Sequence, residues 1–363
     1  MKATHQLHEL GQSLWLDNIT RPLLDSGALA RYITQYSITG LTSNPTIFEH
    51  AIGTSDAYDA AIAHGTAKGQ AGETLFFDLA IADLRRAADL FRPVFEATGG
   101  VDGWVSLEVS PLLAHDAKGT VAAAVHLHQL ADRPNLYIKI PGTPEGVVAI
   151  EESIFAGVPV NVTLLFSAAQ YQASAEAYLR GIERRVAAGL DAKVNSVASL
   201  FVSRWDVAAN KQLPEALHNR LGIAVAAQTY RAYRELLASP RWHQVAAAGA
   251  HVQRLLWAST GTKDPAAPDT LYVEALAAPD TINTLPEKTL FAFSDHGKVQ
   301  QSLRGDGGDA DATVAECQAA GIDVDALAAQ LQREGAESFS QSWAKLLDNI
   351  ASKATSSSAK AAL

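Results

Sequence analysis

The chain has 363 residues, 48% hydrophobic and 19% charged, with a formal net charge of −10. That balance argues against a general nucleic-acid binder or a protein held on anionic membranes, and the length suits either two ordinary domains or one α/β barrel with insertions. A single cysteine, Cys317, excludes an internal disulfide and a cysteine-based metal cluster and fits a reducing compartment; residues 1–11 are polar and no apolar run approaches the roughly 20 residues of a membrane span, so a cytoplasmic protein without membrane contact is expected.

Ser13 to Ile19 reads as a first strand, with Asp17 just past its apolar part. Asp25-Ser26-Gly27 offers an acidic cap to a short helix over 28–36, and a second strand over 37–45 breaks at Asn44-Pro45. Residues 45–99 are helical in pattern, 104–109 a third strand, and 120–130 a helix. Leu136-Tyr137-Ile138-Lys139-Ile140 is a fourth strand ended by Pro141-Gly142. Helix over 146–156, strand over 159–166, a long helix over 168–188 capped by Ser167, and a sixth strand over 194–203 follow. After Trp205 comes a helical region to 248 that breaks near Pro240, then a seventh strand over 254–260. Residues 271–276 and 281–285 compete for the eighth strand; the second is preferred, with 271–273 in the connection. From Glu287 the chain is mostly helix, with a loop over 295–298, and 353–363, rich in Ser, Ala and Lys, reads as a disordered tail.

Strand then helix, eight times over, implies a parallel α/β sheet. A doubly wound sheet usually carries a glycine-rich phosphate loop after its first strand, and here that turn, Asp17 to Pro22, contains no glycine. A closed barrel instead places polar residues at the C-terminal ends of many strands. The chain does so with Asp17, Asn44, Glu108, Lys139, Asn161 with Thr163, Ser199, and Ser259 with Thr260. The prediction is a single (β/α)8 TIM barrel with extra helices over residues 1–352.

Lys139 stands alone in an apolar strand. An ammonium taken out of water tends to shed its proton, and a neutral amine is what a Schiff-base nucleophile needs. Read as plain structure, the same lysine snorkels to solvent or pairs with a carboxylate. A lysine nucleophile also needs a carboxylic acid to shuttle protons, which Asp17 or Glu108 can supply. Asn44 and Asn161 can hold hydroxyls without competing for protons, and Thr163 can position a water. Each has a bland counterpart: a turn residue at Asp17 or Asn44, a structural ion pair at Glu108. Asn161 and Thr163 share one face of their strand, and barrel strands have no solvent face. His126 and His128, two apart on a helix, point to different faces, and residues 306–311 miss EF-hand spacing, so no metal is expected.

Four stretches resemble the transaldolase family, in the family's order. They are Leu14-Trp15-Leu16-Asp17-Asn18-Ile19, Gly40 to Phe48 around Thr42-Ser43-Asn44-Pro45, Tyr137 to Thr143 around Lys139, and Asn161 to Ser167. The resemblance runs from about Leu14 to Leu347, and the stretches 257–263 and 285–290 are similar to the longer bacterial and plant-type branch. It implies a barrel of the class I aldolase type, working without a cofactor in the non-oxidative pentose phosphate pathway. A dihydroxyacetone unit would pass from sedoheptulose 7-phosphate to glyceraldehyde 3-phosphate. Lys139 would form the Schiff base, Asp17 would take the C4 hydroxyl proton, and Glu108 and Thr163 would hold the relaying water. Asn44 and Asn161 would bind the three-carbon unit, and Ser199, Arg204 and Lys263 the phosphate end. Arg204 read plainly is a surface ion pair with Asp206. Sugar phosphates are thus the expected partners of a monomer or homodimer. Two other readings share the fold: a lyase that releases the three-carbon unit to water, and a catalytically silent barrel.

Overall fold

The computed structural model describes residues 1–300 and 302–361, with side chains through residue 356. Eight parallel strands alternate with helices: β1 (Ser13–Asp17), β2 (Ile38–Thr42), β3 (Val105–Glu108), β4 (Leu136–Pro141), β5 (Val160–Leu165), β6 (Ser196–Phe201), β7 (Gln253–Ala258) and β8 (Thr281–Leu285). Their order around the sheet is β2-β1-β8-β7-β6-β5-β4-β3. The two end strands meet: Leu41 N donates to Trp104 O at 2.9 Å and Gly103 N to Thr39 O at 2.9 Å. With the last edge joined the sheet is a (β/α)8 barrel, as its polar strand ends predict.

All of β2 through β8 is buried, and only Asp17 at the end of β1 is partly open. Ile138, Ile140, Val160 and Val162 face the helix layer, whereas Trp15, Tyr137, Val197, Leu256 and Ile282 fill the barrel. Trp104 stacks on Tyr137 with centroids 4.0 Å apart, and Trp15 lies 6.2 Å from the same ring. Period-two alternation therefore builds an aromatic and aliphatic floor inside the barrel, with the next inward residue of each strand one layer higher.

The eighth strand is the preferred candidate, and Leu271–Ala275 is a helix in the connection. Three local expectations change. Asp25 ends its own short helix, Arg21–Asp25, and pairs with Arg86; the Ala28–Tyr36 helix starts at Gly27, which sits at a φ of 68° and has no side chain to cap with. Asp295 and His296 form the last turn of Glu287–His296 rather than a loop. The tail expected to be disordered from 353 is instead met by a helix, Val324–Ala361, in which Lys353 binds Ser55 O and Asp59; residues 362 and 363 lie outside the described residues. Composition misleads at Lys353 because its partners are contributed by a segment almost 300 residues earlier.

Gly40 sits where the barrel closes. A Cβ there would stand 2.7 Å from Trp104 O and 2.7 Å from the Trp15 indole. Neither a backbone carbonyl nor a packed indole can move aside cheaply. Gly40→Ala is expected to destabilise the fold by about 1–3 kcal/mol, the usual penalty for overpacking, read as a lower Tm by scanning calorimetry; an unchanged Tm would show that the seam yields.

Candidate active site

The layer above the floor is the site. Two residues beyond Trp15, Gly40, Tyr137, Val197, Leu256 and Ile282 stand Asp17, Thr42, Lys139, Ser199, Ala258 and Thr284, and all of these line one cleft of about 440 Å³. Asn44, Thr163, Arg204 and Lys263 line it too, with His50, Phe201, Ser259 and Phe339. Glu108 and Asn161 are not among the residues lining the cleft but are in register with Lys139, one on either side of it.

Lys139 is 4% exposed. Its Nζ donates to Ser43 O at 3.1 Å and lies 3.4 Å from Glu108 Oε2, an ion pair without hydrogen-bond geometry. The Phe339 ring, from the Val324–Ala361 helix, is centred 5.8 Å from Nζ. Burial pushes the Glu108 carboxyl above its ordinary range and Asp17 adds to this, while Lys139 and Arg204 pull it down. Glu108 Oε2 and Thr163 Oγ1 are both buried without a hydrogen-bond partner among the described residues.

Asp17 Oδ1 accepts from Thr42 Oγ1 at 2.8 Å. Burial raises its carboxyl, against the opposing effects of Lys139, the Thr42 bond and Lys263. Asn44 caps the Pro45–Thr54 helix through Oδ1, which accepts from Ile47 N at 3.0 Å. The turn role and the cleft role thus coexist, because Nδ2 has no partner among the described residues. Asn161 is held at both ends, donating to Ser106 Oγ at 3.0 Å and accepting from Ser199 Oγ at 2.8 Å. Ser199 therefore orients Asn161.

Thr163 reaches the cleft through an irregularity. The β5–β6 register shifts between Val162 and Leu165, and Leu164 has a φ of 59°, a conformation disfavoured for any residue with a side chain. Gln332 Nε2 holds this bulge by donating to Leu164 O and to Gly142 O, both at 2.9 Å. Gln332, Gly335 and Phe339 share one helix face, i, i+3 and i+7. A Cβ on Gly335 would come within 2.9 Å of Leu164 and 3.1 Å of Arg204, so this face walls the cleft at close range.

Arg204 does not pair with Asp206, which is engaged instead by Gly222 N and the Tyr272 hydroxyl. Its guanidinium lies over Phe201 at 5.0 Å and beside Phe339 at 5.9 Å, with no hydrogen bond or ion pair among the described residues. Burial pulls its pKa down while Glu108 and Glu334 hold it up. Lys263 is exposed, on the loop after β7. Sequence reasoning missed Thr42 and Thr284, which obey the strand-end rule, and His50, Phe201 and Phe339. Phe339 carries no signal of its own, since its helix looks like any amphipathic one.

Fold and site together define a (β/α)8 enzyme barrel with its polar residues gathered at the C-terminal mouth. The family model described as Transaldolase/Fructose-6-phosphate aldolase matches residues 14–350. A transaldolase of Thiobacillus denitrificans is 46% identical over 358 residues, 96% of this chain and 100% of that protein. Transaldolases of Frankia alni and Thermobifida fusca are each 46% identical, covering 95% of this chain and 96% of theirs. The chain belongs to the transaldolase/fructose-6-phosphate aldolase family.

Because burial raises the Asp17 carboxyl, the folded state binds that proton more tightly than the unfolded one, and the ionised group opposes folding. The penalty is absent below the ordinary carboxylate pKa, roughly 4, and grows as pH rises through the raised value. Asp17→Asn should therefore have a higher Tm than wild type at pH 7, with the difference shrinking toward pH 4. A variant less stable at pH 7 would mean that the Lys139 attraction outweighs burial.

Proposed function

We infer that the protein is a transaldolase in which Lys139 forms the Schiff base. The observation that carries this is one buried amine, 3.4 Å from a buried carboxyl, in a cleft shared with a second raised carboxyl. Nζ adds to the C2 carbonyl of sedoheptulose 7-phosphate, and loss of water gives an iminium. Glu108, raised by burial, can hold and return the protons of this step, and with Thr163 it flanks the water that leaves and later returns.

Asp17 then takes the proton of the C4 hydroxyl. The C3–C4 bond breaks, its electron pair enters the iminium as an enamine, and erythrose 4-phosphate departs. The enamine carbon attacks the aldehyde of glyceraldehyde 3-phosphate, Asp17 returns its proton to the new alkoxide, and hydrolysis releases fructose 6-phosphate. The iminium is the electron sink for both halves. Asn44 Nδ2 and Asn161 serve the hydroxyls of the three-carbon unit. Arg204, without an ionic partner of its own, meets the phosphate as a planar fork, and Lys263 adds a point charge from the loop.

Borohydride with fructose 6-phosphate should leave a mass adduct on Lys139 and none on Lys139→Ala, which should lose turnover entirely. Asp17→Ala should keep the adduct but lose kcat by about 10²–10⁴, the usual worth of a positioned base. Fast glyceraldehyde 3-phosphate release from fructose 6-phosphate without an acceptor would instead identify a lyase. Arg204→Ala should raise KM for the phosphorylated aldehyde far more than it lowers kcat; equal effects on unphosphorylated glyceraldehyde would place the phosphate elsewhere.

A further inference from the structure

On the proposed mechanism Asp17 takes a proton on an oxygen that faces the substrate, yet among the described residues its carboxylate has one hydrogen bond, from Thr42 Oγ1 at 2.8 Å. Thr42 in turn lies 2.7 Å from Thr284 Oγ1. The three residues come from neighbouring strands β2, β1 and β8, and their side chains converge inside the barrel mouth. Thr42 and Thr284 are 2% and 3% exposed.

The chain has a fixed direction. An ionised carboxylate only accepts, so the single Thr42 proton goes to Asp17 Oδ1. The short Thr42–Thr284 contact then requires the Thr284 proton, and Thr284 donates to Thr42. Without that donation the Thr42 hydroxyl is free to turn away from Asp17. With it, Oδ1 is permanently occupied by a donor and Oδ2 is the basic oxygen left for the cleft. Once Oδ2 has taken a proton, Oδ1 still accepts from Thr42, so the chain keeps its direction through both halves of the reaction.

We propose that Thr284 is a positioning residue for carbon–carbon cleavage, acting through Thr42 to hold Asp17 with Oδ2 as its only free base. The proposal rests on Asp17 being the cleavage base. The charged groups facing Asp17 are Lys139 and Glu108 from β4 and β3 and Lys263 from the loop after β7, and His50 lines the same cleft. None of them touches Thr284 through a hydrogen bond, so its loss leaves them in place.

The test compares Thr284→Val, which keeps shape and removes the hydroxyl, with Thr284→Ser, which keeps the hydroxyl. Thr284→Val should trap the borohydride adduct as fully as wild type while kcat falls several-fold. A Thr42 hydroxyl no longer polarised by Thr284 supports the carboxylate less, so the acid limb of kcat/KM should move to higher pH. Thr284→Ser should restore both. Thr42→Val combined with Thr284→Val should be no slower than Thr42→Val alone, because the two act in series. Wild-type rate and acid limb in Thr284→Val, equal losses in the Val and Ser variants, or additive losses in the double variant would each overturn the proposal. Should Thr284→Val melt well below wild type, Thr284→Ser against Thr284→Ala decides on the same readouts. If Asp17→Ala turns over normally, the reading beneath the proposal is what has failed.

Discussion

The structure depends on keeping an ammonium and a carboxylate 3.4 Å apart and out of water. Stripping either ion of solvent costs several kcal/mol, and the attraction recovers this only with supporting hydrogen bonds and good geometry. Among the described residues Lys139 has one such support, the Ser43 carbonyl, and Glu108 Oε2 has none. The pair is therefore held more by its surroundings than by itself. Below it lies the Trp15, Trp104 and Tyr137 floor, and above it Phe339. The same dry surroundings push the Glu108 carboxyl above its ordinary range.

Closure of the sheet matters for the same reason. In an open sheet β2 and β3 would be edges, and Thr42, Ser43 and Glu108 would face solvent at the ends of separate strands. The bonds from Leu41 to Trp104 and from Gly103 to Thr39 bring them round, so that Ser43 reaches Lys139 from β2 while Glu108 reaches it from β3. The lysine is contacted from both sides of the seam. Gly40 has no Cβ because the indole of Trp15 occupies that space.

Much of this was legible in the chain. Strands buried on both faces tolerate polar residues only toward the barrel interior, so Asp17, Lys139, Thr163 and Ser199 announce themselves by their apolar neighbours. The same rule reaches Thr42 and Thr284, but a threonine in a strand attracts no notice, since it is an ordinary β-former. Nothing local marks Gln332, Gly335 and Phe339. Their spacing is that of any helix, and only long-range packing decides that this face meets the mouth while Lys353 reaches Asp59 further along. Arg204 shows the limit from the other side. Its neighbour Asp206 looks like a partner in sequence, yet Tyr272 and Gly222 take that carboxylate and leave the guanidinium to two aromatic rings.

Desolvation is the leading cause of the shifts at three mouth residues, raising Asp17 and Glu108 and lowering Arg204. Each is a titratable group held where its charged form is disfavoured, and each lacks a full set of partners among the described residues. Such a site opposes folding and favours whatever completes it. On the proposed reading the substrate does so piece by piece: a phosphate for Arg204, a hydroxyl for Asp17 Oδ2, and a carbonyl carbon that converts the Lys139 amine into a cation of the substrate's own. The interactions gained are largest where charge moves, at the iminium and at the C4 oxygen, so binding energy is concentrated on the transition state rather than spread evenly over the sugar. On the same reading, phosphate bound at Arg204, away from the bond that breaks, would fix the position of the substrate chain relative to Asp17. On that reading an arginine beneath a helix face, with no ion pair among the described residues, and a threonine on β8, two strands away, serve the same carbon–carbon bond.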